Sequence, residues 1–272
     1  MRLPDGLPAD IDLTRPSAAR VYDYFLGGAH NFEIDRQLAE QIAGMTPNLA
    51  ETMRAGRAFL RRGVRMLVDE GIDQFLDIGS GIPTVGNVHE VAQALNPAAR
   101  IAYVDIDPVA VAHSRSILAG NEHTGVIHAD LREPERILAE AEKLGVIDLR
   151  RPVAVLLAGV VHFIPDSDDP QRILATLRAG TVPGSYLLIS HSTYEDQPPE
   201  MLDAQRLSAR TSTEITLRSR AEITAFFGDF TLVEPGVVHM PLWRPDEPTD
   251  PGEHPERLGA FGGVGRHDRD AG

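Results

Sequence analysis

Four short stretches of this sequence place carboxylates, glycines and imidazoles where ligand chemistry can occur. The first is Asp77-Ile78-Gly79-Ser80-Gly81, which follows the apolar pair Phe75-Leu76 and precedes a helix expected to start near Thr84 or Gly86. Glycines at a strand-to-helix turn let the backbone bend sharply and let a ligand lie against the main chain. A pyrophosphate cradle asks for G-x-G-x-x-G, but Thr84 stands at the third glycine position and Pro83 interrupts the turn. Asp77, just ahead of the glycines, suits a ligand with an ammonium group and would repel a phosphate. The competing reading is a purely structural turn.

The second stretch is Tyr103-Val104-Asp105-Ile106-Asp107-Pro108, in which Asp105 lies 24 residues after Gly81 at the end of the next expected strand. A carboxylate there accepts from both ribose hydroxyls, with Ile106 beside it, so the pair points to an adenosine without choosing among adenosine ligands. Asp107, followed by proline, suits a helix cap better. In the third stretch, His128-Ala129-Asp130-Leu131-Arg132, Asp130 can accept from an adenine amino group with Leu131 against the ring. Helix capping explains Asp130 equally well. The fourth, Ala158-Gly159-Val160-Val161-His162-Phe163, brings the main chain of Ala158 and Gly159 into the same crevice. His162, His191 and, from the N-terminal helices, Tyr22 or Tyr24 are the candidate proton acceptors; each reads also as a packing residue.

The elements that must position these groups are legible as rhythm. Apolar runs at 75–78, 101–104, 126–127, 153–157 and 186–189 alternate with helical stretches, which predicts βαβ units and a parallel sheet. Two further runs, 230–233 and 237–240, flank Glu234-Pro235-Gly236 and predict a terminal antiparallel hairpin. Upstream, Ser17 caps an expected helix that Gly27-Gly28 stops, a second helix spans 33–42, and a third runs from about 49 to 70. On the third, Arg54, Arg57, Arg61 and Arg65 share one face, which reads as a solvated basic row. The expected organisation is an N-terminal arm (1–15), a helical lid (16–72), an α/β domain (73–243) and a polar tail without regular structure (244–272).

Composition narrows the function classes. With 40 acidic against 26 basic residues the net charge is −14, which works against charge-driven binding to nucleic acid or anionic membranes. The absence of cysteine excludes disulfides and thiolate metal sites, and His113, His123 and His128 lack metal-ligand spacing. No signal-like or membrane-length apolar run occurs, so a cytoplasmic enzyme without a metal is expected.

Together, Asp77 to Gly81, Asp105, Asp130 and the 158–163 stretch resemble the class I methyltransferases that use S-adenosylmethionine (SAM). The segment Tyr22-Asp23-Tyr24-Phe25-Leu26-Gly27-Gly28, with Asn31-Phe32, Asp35-Arg36 and Gly86-Asn87-Val88-His89-Glu90, resembles the S-adenosyl methyltransferase family catalogued as a domain of unknown function. The resemblance spans roughly 16–243. It implies a Rossmann-like, seven-stranded, mostly parallel sheet, with SAM bound and S-adenosylhomocysteine (SAH) released. It implies further that Asp77, Gly79, Ser80 and Gly81 hold the methionine end, Asp105 the ribose and Asp130 the adenine. The helical lid would bring Tyr22, Gly28, Asn31 and Phe32 near the cofactor. Ala29 and Gly56 depart from the lysine and asparagine common at those family positions. The leading expectation is a methyltransferase for a small molecule; a SAM- or SAH-binding module and an NAD-linked oxidoreductase are the alternatives.

Overall fold

The computed structural model describes residues 14–46, 48–83, 86–197, 215–247, 252 and 254–268. The five expected parallel strands form as β1 (Gln74–Ile78), β2 (Arg100–Asp105), β3 (Thr124–His128), β4 (Ala154–Ala158) and β5 (Tyr186–Ser192). They lie in the order β3-β2-β1-β4-β5. Every residue of β1 is buried, which is why it reads as an unbroken apolar run and not as an alternation. The helix starts are chemically explicit. The Asp107 carboxylate accepts from the Val109 and Ala110 amides at 2.7 and 3.3 Å, and Pro108 opens the helix 108–117. Asp107 does the capping, so Asp105 is left for the crevice. The helix expected to start near Thr84 or Gly86 begins at Val88; Thr84 itself lies outside the described residues.

Apolar layers cover both faces of the sheet. On one, Ile137 and Ala141 of the helix 134–144 and Ile173, Leu174 and Leu177 of the helix 170–179 meet Leu76, Val104, Val155 and Ile189. On the other, Phe59, Leu60, Val64 and Leu67 meet Phe75, Leu156 and Leu188. These last helical residues belong to α3 (Leu49–Asp69), which the sequence reading assigned to a lid. Phe59, Val64 and Leu67 are completely buried, so α3 is a layer of the α/β core. The expected boundary at 72/73 therefore divides a single core. Of the three helices expected as a lid, α1 (Ala18–Phe25) and α2 (Glu33–Met45) contribute no residue to either apolar layer.

The expected hairpin and tail need correction too. Strands β6 (Thr231–Leu232) and β7 (Val238–His239) do not pair with each other; both pair antiparallel with β8 (Ala260–Arg266). β8 lies between β5 and that split edge, which completes seven strand positions. The chain beyond 244 is therefore not a structureless tail. Its glycines disguise a strand. A Cβ at Gly262 would stand 2.8 Å from the Phe59 ring, and one at Gly265 would stand 2.7 Å from Phe227. Aromatic rings from both layers press directly on the β8 backbone, so only glycine fits there.

A buried ion pair joins α1 to α2. Arg20 meets Asp35 at 2.9 Å and also donates to the Arg15 carbonyl at 2.6 Å. Asp35 accepts from the Phe32 and Ser17 amides at 2.9 and 3.0 Å. Ser17 does not cap α1 with its side chain as expected; its hydroxyl donates to Asp107. Asp35→Ala would leave the Arg20 charge buried and unpaired, and is expected to cost about 3–5 kcal/mol in urea unfolding at pH 7. A loss below 1 kcal/mol would show that the charge escapes to solvent.

Candidate active site

The parallel order reverses between β1 and β4, and the crevice outside their carboxyl ends is where an open α/β sheet binds ligands. Gly79 adopts φ +72° there, and a Cβ on it would lie 2.3 Å from the Val160 side chain. The turns after β1 and β4 therefore touch through this glycine. The glycine turn is tied down: Gly79 and Ser80 amides donate to the Val104 carbonyl at 2.8 and 3.2 Å, and the Gly81 amide donates to Asp105 Oδ2 at 2.7 Å. Asp105 Oδ1 accepts from the Asp107 amide at 2.8 Å. Burial pushes the Asp105 carboxyl up to about 6, against the pull of these amides. Asp77 is pushed up to about 7 by its own burial, with Arg57 pulling it down and Asp105 raising it further. The crevice thus holds two buried carboxyls poised near neutrality beside an anchored glycine turn.

Residues that sequence reasoning missed surround Asp77. Tyr103 lies opposite it in the β1–β2 register. The Tyr103 hydroxyl accepts from the His89 amide at 2.8 Å and bonds His89 Nδ1 at 2.7 Å, fixing the start of the helix 88–95 against β2. Arg57 comes from the row read as a solvated face. Its guanidinium lies over the Tyr22 ring, 5.3 Å from the centroid. Arg61 and Arg65 from the same row pair with Asp246 on the surface, as the solvated reading requires. The stretch containing His89 was quoted only for its resemblance, and helical spacing alone does not distinguish Arg57 from its neighbours.

The lid residues divide by role. Asp23, completely covered, accepts from the His30 amide and from Asn31 Nδ2, both at 2.8 Å. Asn31 Nδ2 also donates to the Gly28 carbonyl at 2.9 Å, and its Oδ1 accepts from Arg36 at 3.1 Å. A Cβ on Gly28 would collide with the Asp23 carboxylate at 2.0 Å. The Tyr-Asp-Tyr…Gly-Gly signature therefore builds one loop, with Asp23 as its hub. Gly28 and Asn31 are engaged in that loop, and Phe32 lies under the Arg20 guanidinium at 5.4 Å. Tyr22 donates to the Met53 carbonyl at 3.2 Å, and burial raises its phenol despite Arg57, so it stays protonated at neutral pH.

At Asp130, expected from the sequence to meet an adenine, both carboxylate oxygens are held by Arg132, the closest contact being 2.6 Å. Burial pushes Asp130 up, but the Arg132 bonds outweigh it and hold the carboxyl below its usual range. Leu131 is 5% exposed and packs in the core with Ile137. Ile106 instead is 54% exposed at the crevice end of β2. Beyond Ala158 and Gly159, His162 has Nδ1 3.3 Å from Ser192 Oγ, and burial depresses it to about 4. His191 is locked. Its Nδ1 bonds the Ser192 carbonyl at 2.7 Å and its Nε2 bonds Arg218 at 2.9 Å, and burial holds it well below its ordinary value. Arg218 has no acceptor lone pair, so His191 Nε2 accepts from it and has no lone pair left for a substrate proton.

These residues fit a nucleoside with an amino-acid end. Asp105 offers an acceptor to a diol, Asp77 an acceptor to an ammonium, and at Gly81 the turn has open space where a side chain would stand. Fold and site together define a Rossmann-like methyltransferase. The chain belongs to the S-adenosyl methyltransferase family, whose model matches residues 4–268. Its cofactor is SAM. A crystal structure from Thermobifida fusca bearing a provisional methyltransferase name is 43% identical, with TM-score 0.90, covering 96% of this chain and 98% of that one. A DUF574 family protein from Streptomyces avermitilis is 37% identical, with TM-score 0.89, over 94% and 98%. A ribosomal RNA small subunit methyltransferase H from Halorhodospira halophila is 33% identical over 95 residues; the match covers 35% of this chain and 28% of that protein. Among the described residues no helix is long and apolar enough to cross a membrane.

Proposed function

We propose that this enzyme methylates a small-molecule acceptor by direct in-line transfer without a metal, acting in the cytoplasm. The observation that carries the site assignment is Asp105, a buried carboxylate at the switch-point end of β2 that also holds the Gly81 amide. Asp77, Gly79, Ser80 and Gly81 would hold the methionine end, Asp105 the ribose with Ile106 beside it, and Asp130 the adenine amino group through a carboxylate lone pair that Arg132 does not occupy. When bound, SAM supplies a methyl group on a sulfonium that departs as a neutral thioether, so no Lewis acid is needed for the leaving group. The chain's work is then to align the acceptor and exclude water; such positioning reaches effective molarities of about 10⁵ M in favourable cases. His162 is the group left to take a proton. It is neutral at pH 7, and His191 and Tyr22 hold the surrounding wall in place.

The net charge of −14 favours a small acceptor over a polyanion. The test is transfer of labelled methyl from SAM to a panel of small amines, phenols and acids, with small-subunit ribosomal RNA in parallel and each reaction run with and without EDTA. Label in a small molecule supports the reading; label in RNA, or loss of transfer on adding EDTA, overturns it. Asp105→Ala is expected to weaken SAH binding by about 100-fold in calorimetry, since two charge-assisted bonds to ribose disappear. Affinity within threefold of wild type would remove Asp105 from the cofactor site.

A further inference from the structure

SAM ends in an α-amino acid, so the surface beside its sulfur has to meet an ammonium and a carboxylate only a few ångströms apart. Asp77 provides negative charge for the first. The stretch Ile78-Gly79-Ser80-Gly81-Ile82-Pro83 carries no cation for the second. Backbone amides of the turn can meet that carboxylate in part, and a cation for it comes from another element, α3.

Arg57 differs from Arg61, Arg62 and Arg65 of its helix in having no carboxylate or carbonyl partner among the described residues, and from the exposed Arg54 in being partly buried. Arg62 spends its guanidinium on the Trp243 and Met240 carbonyls at 2.9 and 2.7 Å, and Arg61 and Arg65 reach Asp246. Arg57 forms no ion pair with a carboxylate among the described residues, and its Nε is buried there without a hydrogen-bond partner. The guanidinium is nonetheless held in place, with the Tyr22 ring beneath it and the Tyr22 hydroxyl anchored on Met53. A fixed cation with an unmet donor is a site awaiting an acceptor, and a planar guanidinium matches a carboxylate with two parallel bonds. Arg57 is also close enough to Asp77 to oppose the rise of its pKa.

We propose that Arg57 binds the carboxylate of the cofactor's amino-acid end, forming with Asp77 a two-charge clamp that selects SAM and SAH over adenosine ligands without that group. This rests on the cofactor reading above. α3 is a core helix, so the clamp is rigid, and Tyr22 of α1 makes its geometry depend on the lid being seated. The Gly-Gly turn and Asp23 hub then serve cofactor selection indirectly, by seating the helix that carries Tyr22.

Calorimetry on the full chain separates the possibilities, using SAH and 5′-methylthioadenosine, which keeps the nucleoside and thioether but lacks the amino acid. Arg57→Met is expected to weaken SAH about 10- to 100-fold and to leave methylthioadenosine unchanged. Arg57→Lys, which keeps the charge but loses the fork, is expected to recover part of the SAH affinity and to fold as wild type. Unchanged SAH affinity in Arg57→Met would overturn the clamp, as would equal weakening of both ligands by both variants, which marks a role in folding alone. A wild-type chain that binds neither ligand would overturn the cofactor reading itself, and the clamp with it.

Discussion

Asp77→Asn is expected to melt higher than the wild-type chain at pH 8 while binding SAH more weakly. Burial raises the Asp77 carboxyl to about 7 and that of Asp105 to about 6, from 3.8 in the unfolded chain. A raised folded value means that the native state holds the proton more tightly than the unfolded one. The associated stability is fully present below about pH 4 and is lost as pH rises through 6 and then 7. At pH 8 both groups are ionised in the fold, and the burial of charge is felt in full. Asparagine has the same shape and no charge, so it removes a cost on the order of 4 kcal/mol from Asp77. Calorimetric melting of the ligand-free proteins checks this. The advantage of the variant is expected to be largest above pH 7 and to vanish towards pH 4; a variant less stable than wild type at pH 8 contradicts it. Binding carries the opposite sign. An ionised Asp77 attracts the ammonium, so wild-type affinity for SAH is expected to fall as pH drops below 7, with proton release on binding near pH 6. The site holds charge that the empty fold disfavours and the cofactor neutralises.

Removing residues 259–272 is expected to abolish cooperative folding, the largest effect foreseen for any change outside the site. The segment looks expendable in sequence, yet it supplies β8, which pairs with β5 along seven residues and carries both short edge strands. Without it β5 becomes an open edge, and Phe59, Phe227 and Phe230 lose the glycine backbone they cover. Phe261 and Val264, both completely buried, leave as well; each such side chain contributes about 1.5–3 kcal/mol of burial. The sum approaches the whole stability of an ordinary domain. Far-ultraviolet dichroism and urea unfolding of the truncated chain are the check, and a cooperative transition at wild-type denaturant concentrations would show that the sheet closes without β8.

The parallel half of the sheet was legible in the sequence, and so were the residues at the carboxyl ends of its strands. Buried parallel strands are continuous apolar runs, and Asp77, Asp105, Gly79 and Gly159 follow those runs directly, so local pattern and position in the fold coincide. The sequence also distinguished Asp107 from Asp105, because a cap depends on the next three residues alone. What depends on contact between distant segments was decided by the tertiary structure. β8 is written in glycines because rings from Phe59 and Phe227 occupy the space of its side chains. Leu131 is buried in the core and Ile106 is more than half exposed, although both follow an aspartate at a strand end. Arg57 and Arg61 sit one helical turn apart with the same residue type, but one meets Tyr22 and the other Asp246. A helical face has no sign until its neighbours are in place, and those neighbours are separated from it by up to two hundred residues of chain.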